Sequence, residues 1–159
     1  MLVSEVNKEL VGKKVSFNFT GLRSTGIVTE IYEDEYSKGI VVKFDSPINW
    51  GGDFYEKSTF TARKFDNFGS LSHTFIIPNQ GDLVEFEYNS EYKKVEKFVG
   101  YFESFSSLNM FIDLCLNLDT KVLNKGEETF NIHRINSLKL VSKETKEILK
   151  NEIAEYINC

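Results

Sequence analysis

Between positions 50 and 65 the chain sets Trp50, Phe54, Tyr55 and Phe60 among Lys57, Arg63 and Lys64, beside the glycine pair Gly51 and Gly52. Aromatic planes stack on bases and anchor protein interfaces, and a neighbouring arginine or lysine supplies charge for a phosphate or carboxylate. Trp50, Phe54, Tyr55, Phe60, Arg63 and Lys64 are therefore the candidate ligand- or partner-binding residues. The competing reading is that these aromatics close the open end of a β-structure as core. A tryptophan beside two glycines is an uncommon occupant of a solvated loop, because exposed aromatic surface invites association. That assigns Trp50 and Arg63 to a binding surface and not to the folding core.

Other reactive side chains point to no reaction. His73 and His133 have no Cys, Glu or second His at ligand spacing, so no metal site follows from them. Ser70, Ser72 and His73 supply the types a small hydrolase needs, but a nucleophile also needs an oriented third group and an elbow motif, and neither is present. Cys115, in FIDLCLNL beside Asp113, reads as a buried or half-buried structural thiol. GKK at 12–14 lacks the rest of a phosphate loop, and no dinucleotide fingerprint or HExxH occurs, so no cofactor is implied. Glu30, Glu33, Asp34 and Glu35 fall in a hairpin connection, where solvated charge is normal. The chain reads as a non-enzyme.

The elements that position these residues are mostly strands. Of 159 residues, 41% are hydrophobic and 14% aromatic, which is enough for a core, while alanine occurs only at 62 and 154. Ser4 as N-cap, Val6, Leu10 and Val11 on one side and Gly12 as terminator predict a short helix over 4–11. Val15, Phe17 and Phe19 then alternate, followed by GIVTEIY, the connection EDEYSKG and IVVKF, a curved meander of the small-barrel kind. Residues 46–69 read as an elaborated loop and a strand, and SLSHTFII at 70–77 as a further strand ended by Pro78.

The layout then repeats. Val84, Phe86 and Tyr88 alternate after Gly81 as Val15, Phe17 and Phe19 do after Gly12, and FVGYFESF follows as GIVTEIY does. Next comes MFIDLCLNL, with Ile112, Leu114, Leu116 and Leu118 predicted on one face, then short strands around 121–123, 129–135 and 138–141. Ser142 as N-cap and the stripe Leu149, Ile153, Tyr156, Ile157 predict an amphipathic helix over 143–157 that packs on the barrels.

The stretch GYFESFSSLNMFIDLCL and the later FNIHRINSLKLV resemble the two motifs of Sm-like proteins over about residues 81–141, and the first half resembles the SH3-like superfold generically. The resemblance implies that Asn109 and Arg134 line an RNA site. The fold expected is mostly β, with two tandem small antiparallel SH3-like/Sm-like barrels, a short N-terminal helix and a C-terminal helix. The units are 1–78, 79–141 and the helix at 142–159.

Charge argues against general nucleic-acid binding. The net charge is -5, with nine basic and ten acidic side chains in residues 1–80 and ten and fourteen in 81–159. Cys115 and Cys159 have no framework spacing, no apolar run reaches ~18 residues, and MLVSEVNKEL lacks a basic-then-apolar signal. The expectation is a cytoplasmic protein without membrane contact. Its function reads as binding through protein–protein contacts. The Phe-, Asn- and Lys-rich composition suits a mobile-element, phage-like accessory protein that obstructs a host nucleic-acid enzyme. The alternatives are an RNA- or nucleotide-binding Sm-like module and a small hydrolase.

Overall fold

Val15 and Phe17 lie on one face of their strand and both are buried, and Ser16 between them is buried as well. In the computed structural model, which describes residues 1–90, 94–106, 108–141, 146, 147, 150 and 151, that strand is β1 (Lys14–Phe19). It is followed by β2 (Leu22–Glu33), β3 (Ser37–Trp50), β4 (Asp53–Arg63) and β5 (Phe75–Ile76). These five form one antiparallel sheet in the order β4-β3-β2-β1-β5. A second antiparallel sheet, ordered β10-β6-β7-β8-β9, contains β6 (Leu83–Asn89), β7 (Val95–Phe105), β8 (Asn109–Asn117), β9 (Leu123–Asn131) and β10 (Ile135–Leu140). The chain is thus mostly β, and it divides into the units Met1–Ile77 and Pro78–Cys159.

Counted within each unit, both sheets have the strand order 5-1-2-3-4. The agreement extends to single hydrogen bonds. Gly12 N–H donates to the Val28 carbonyl (2.8 Å) and Val28 N–H to Lys13 (3.0 Å), while Gly81 N–H donates to Phe102 (2.8 Å) and Phe102 N–H to Asp82 (2.8 Å). In each second strand a glycine faces the first: Val15 pairs with Gly26 and Val84 with Gly100. A Cβ at Gly26 would overlap the Lys43 carbonyl, and one at Gly100 the Ile112 side chain. A 3-10 turn precedes each last strand, Ser70–His73 with buried Leu71 and Ile132–Arg134 with buried Ile132. Each unit has its own aromatic core, Phe17 against Phe44 and Phe60 in the first and Phe86 against Phe98 and Phe130 in the second.

Several local expectations are corrected. The helix over 4–11 is replaced by two 3-10 turns, Val3–Glu5 and Lys8–Leu10, because Val6 and Asn7 between them are extended. Val6 and Leu10 are still buried, so the apolar spacing is satisfied without a helix. The helix expected over 143–157, with Ser142, Leu149, Ile153, Tyr156 and Ile157, lies outside the described residues apart from 146, 147, 150 and 151.

Residues 46–69, read as an elaborated loop and a strand, are mainly a hairpin, with β4 as the strand and the end of β3 in place of the loop. β3 runs on through an irregular pairing between Lys43 and Ile48, which accommodates Pro47, and Gly51 (φ 62°) with Gly52 (φ 86°) forms a two-residue turn into β4. Positive φ at both positions suits the right-handed twist of the flanking strands, so the glycine pair acts as a tight turn. SLSHTFII is a 3-10 turn plus the two-residue β5. In β8 the predicted face breaks at a bulge between Asp113 and Cys115, where Leu114 takes φ 50°; Ile112, Cys115 and Leu116 are buried. The two short strands expected around 121–123 and 129–135 are the single β9 followed by the 3-10 turn.

Candidate functional site

The β3–β4 hairpin carries most of the sequence-predicted site residues and separates them. Trp50 pairs with Asp53 at one end and Ser37 with Arg63 at the other. From Asp53 to Arg63 are ten residue steps of extended strand, roughly 33 Å at 3.3 Å per residue. Trp50, Phe54 and Tyr55 therefore lie at the turn, and Arg63 and Lys64 at the opposite end. Phe60 belongs to neither. It is buried with its ring centroid 4.9 Å from that of Phe17, because it pairs with the inward-facing Ile40.

At the Arg63 end the guanidinium is clamped. Its Nε donates to Asp66 Oδ1 (3.1 Å) and its Nη2 to Asp66 Oδ2 (2.6 Å), and its Cζ is 5.0 Å from the ring centroids of both Phe65 and Phe68. This bidentate, doubly stacked arrangement suits the planar arginine fork. Phe65 is 80% exposed, Phe68 72% and Tyr36 71%. Lys64 N–H donates to the Tyr36 carbonyl (2.8 Å), and Lys64 Nζ pairs with Glu33 (2.7 Å). That hydrogen bond and charge hold Glu33 below the usual carboxylate range.

Asp34 accepts from the Tyr32 hydroxyl (2.7 Å) and the Tyr36 and Ser37 amides (2.9 and 2.7 Å), which fix the β2–β3 turn and hold its own pKa low. For Asp66, loss of hydration pushes upward, and the bonds from Arg63 and the Phe68 amide outweigh it. Tyr36, Phe65 and Phe68 were not legible as site residues. For Phe65 and Phe68 the one sequence signal is RKFDNFG, where two phenylalanines three residues apart flank an acid after an arginine.

At the other end Trp50, 54% exposed, has its ring 6.4 Å from Tyr55, which in turn lies 5.3 Å from Phe19, so the aromatics run from solvent toward the core. Phe54, 71% exposed, borders an open groove of about 610 Å³ lined by Thr29, Lys43, Phe54, Tyr55, Glu56 and Lys57.

In the second unit the register places Asn109 opposite Asn131, from which the chain passes into the 3-10 turn that holds Arg134. The two residues implied by the Sm-like resemblance thus share one end of that sheet. Ser70 and Ser72 serve their own turn: Ser70 Oγ accepts from Thr61 N–H (3.2 Å) and Ser72 Oγ donates to the Gly69 carbonyl (2.7 Å). The His73 carbonyl accepts from Arg23 Nη1 (2.8 Å). Arg23, another residue that sequence reasoning passed over, has Nε and Nη2 buried without an acceptor among the described residues, and burial lowers its pKa to about 10. Among the described residues no group of three or more His, Cys, Asp or Glu is placed to hold a metal.

Cys115 is buried at the edge of a pocket of about 590 Å³, and burial, with the Glu128 carboxylate beside it, pushes its thiol above the ordinary range. A thiol held protonated is a poor nucleophile. In a Cys159→Ser background, Cys115 is therefore expected to resist iodoacetamide at pH 8 while the protein is folded and to react on denaturation, read by intact mass. Rapid labelling of the folded protein would contradict the burial.

Residues 1–76 match the family model of a domain of unknown function, DUF7258. The match ends one residue before the boundary of the first unit. No curated protein and no solved structure matches the chain. Among the described residues no helix is long and apolar enough to cross a membrane.

Proposed function

We propose that the chain is a non-enzymatic binding protein that acts through protein–protein contacts, built from two tandem barrels of the SH3-like/Sm-like kind. The shared 5-1-2-3-4 order, the second-strand glycines and the 3-10 turn before each last strand support the barrel reading. A fold of this kind hosts many functions, so the function rests on the site.

The observation that carries it is the Arg63 guanidinium packed 5.0 Å from each of two exposed phenylalanine rings. Aromatic and arginine side chains dominate interface energetics, and the Asp66 clamp orders Arg63 in advance, which lowers the entropy lost on binding. The acidic excess of residues 81–159 favours a basic partner, such as the surface of a nucleic-acid enzyme. The RNA reading has in its favour that Asn109 and Arg134 share one end of the second sheet.

Nuclease-treated affinity capture from the source cell tests both. Phe65→Ala combined with Phe68→Ala is expected to weaken capture about thirtyfold or more, as loss of about 2 kcal/mol at a hot spot does, while the melting temperature stays within a few degrees. Trp50→Ala, at the far end of the hairpin, is expected to leave capture intact. Capture that survives the double change, or that nuclease abolishes, overturns the proposal.

A further inference from the structure

Lys43 of β3 and Lys57 of β4 are direct cross-strand partners. Their Cβ atoms are then about 5 Å apart on one face of the sheet, where like charges oppose folding. They belong to a row across four strands, Lys14–Ile27–Lys43–Lys57. Lys14 is neutralised by Asp45 at 3.4 Å, whereas among the described residues Lys43 and Lys57 have no ion-pair partner.

The second unit provides an internal control. Its matching row runs Leu83–Tyr101–Asp113–Glu127, so the same two positions hold a pair of acids. The fold tolerates either sign and requires neither. The unpaired lysines are thus particular to the first unit, and they open onto the groove lined by Thr29, Phe54, Tyr55 and Glu56. Thr29 sits at the β2 bulge with its hydroxyl on the Val41 carbonyl (3.3 Å).

We propose that this groove binds a nucleotide unit, its phosphate between Lys43 and Lys57 and its base stacked on Phe54. Two ammonium groups one strand apart attract a phosphate, and an exposed phenylalanine ring accepts any base face. Glu56, the one carboxylate among the described residues that line the groove, accepts from hydroxyl or amino groups and so suits the sugar or base edge. A free nucleotide and a single-stranded nucleic acid share this chemistry. The site is independent of the Arg63 end, with Lys57 six residue steps along β4 from Arg63.

Trp50 is the single tryptophan and lies beside Tyr55 of the groove, so its fluorescence, with calorimetry in parallel, reports binding. At low salt, AMP is expected to bind saturably, with adenosine and inorganic phosphate each at least tenfold weaker. Lys43→Ala combined with Lys57→Ala, and separately Phe54→Ala, are expected to weaken AMP about tenfold or more. The double-lysine variant should melt no lower than wild type, because a repulsion is removed. A decathymidylate that binds at least tenfold tighter than AMP identifies a single strand as the ligand, and equal affinity identifies the free nucleotide. The proposal is overturned by silence in both readouts at millimolar AMP, by unchanged affinity in the double-lysine variant, or by phosphate that binds as well as AMP.

Discussion

Phe17→Ala is expected to unfold the first unit and leave the second folded. Phe17 is fully buried, stacked on Phe44 at 4.8 Å and tilted against Phe60 at 4.9 Å, so truncation removes the ring that joins β1 to β3 and β4. A buried Phe→Ala change costs about 3–5 kcal/mol, transfer and cavity together. At about 0.05–0.15 kcal/mol per residue, a unit spanning Met1–Ile77 holds roughly 4–12 kcal/mol in all, so the change removes much of its stability. Phe86, packed on Phe98 at 5.4 Å and Phe130 at 4.7 Å, is its counterpart. Hydrogen exchange read by peptide mass should show β1–β4 losing protection in Phe17→Ala and β6–β9 losing it in Phe86→Ala. Loss of protection across both units in either variant would show that the cores are not independent.

Gly26→Ala and Gly100→Ala are expected to be severe for different reasons. At Gly26 a Cβ meets the backbone carbonyl of Lys43, which only separation of β2 from β3 can relieve. At Gly100 the nearest obstacle is the Ile112 Cγ2 methyl, a side-chain atom. Overpacking of this kind costs about 1–3 kcal/mol, and the backbone clash belongs at or above the upper end. The second-site changes discriminate. Ile112→Ala should restore part of the melting temperature lost in Gly100→Ala, whereas Val42→Ala, which removes the next-nearest atom at Gly26, should restore little in Gly26→Ala. Equal rescue at both sites would mean that the two glycines serve side-chain packing alone.

What was legible in the chain followed from local periodicity. Val15 and Phe17, and again Val84 and Phe86, are buried as their alternation implied, because residues two apart on a strand share a face, while Ser16 and Leu83 on the opposite face are buried as well. The repeat of glycine, alternating strand and glycine-containing strand was visible for the same reason, and the two sheets share one strand order. Cys115 was readable as a structural thiol from its apolar neighbours, and it is buried.

Local rules failed where the backbone left its period. Leu114 at φ 50° shifts the buried face of β8 by one residue, and extended Val6 and Asn7 split an apolar spacing that a helix would equally explain. The aromatic segment after Trp50 could not be placed, because Gly51 and Gly52 suit a mobile loop as well as a tight hairpin turn.

Distance between residues was decided only by the tertiary structure. Extended β4 carries Arg63 away from Trp50 although thirteen positions separate them in the chain, and inward pairing with Ile40 makes Phe60 core. Phe65 and Phe68 gained significance only when the turn brought both rings against Arg63. Lys43 and Lys57 lie fourteen positions apart, and Asp113 and Glu127 likewise, so no local pattern joins either pair. Strand periodicity is a property of each residue's own backbone and neighbours, and the sequence determines it directly. Cross-strand register depends on the hydrogen bonds of two distant segments and on every bulge between them, and those form only when the sheet closes.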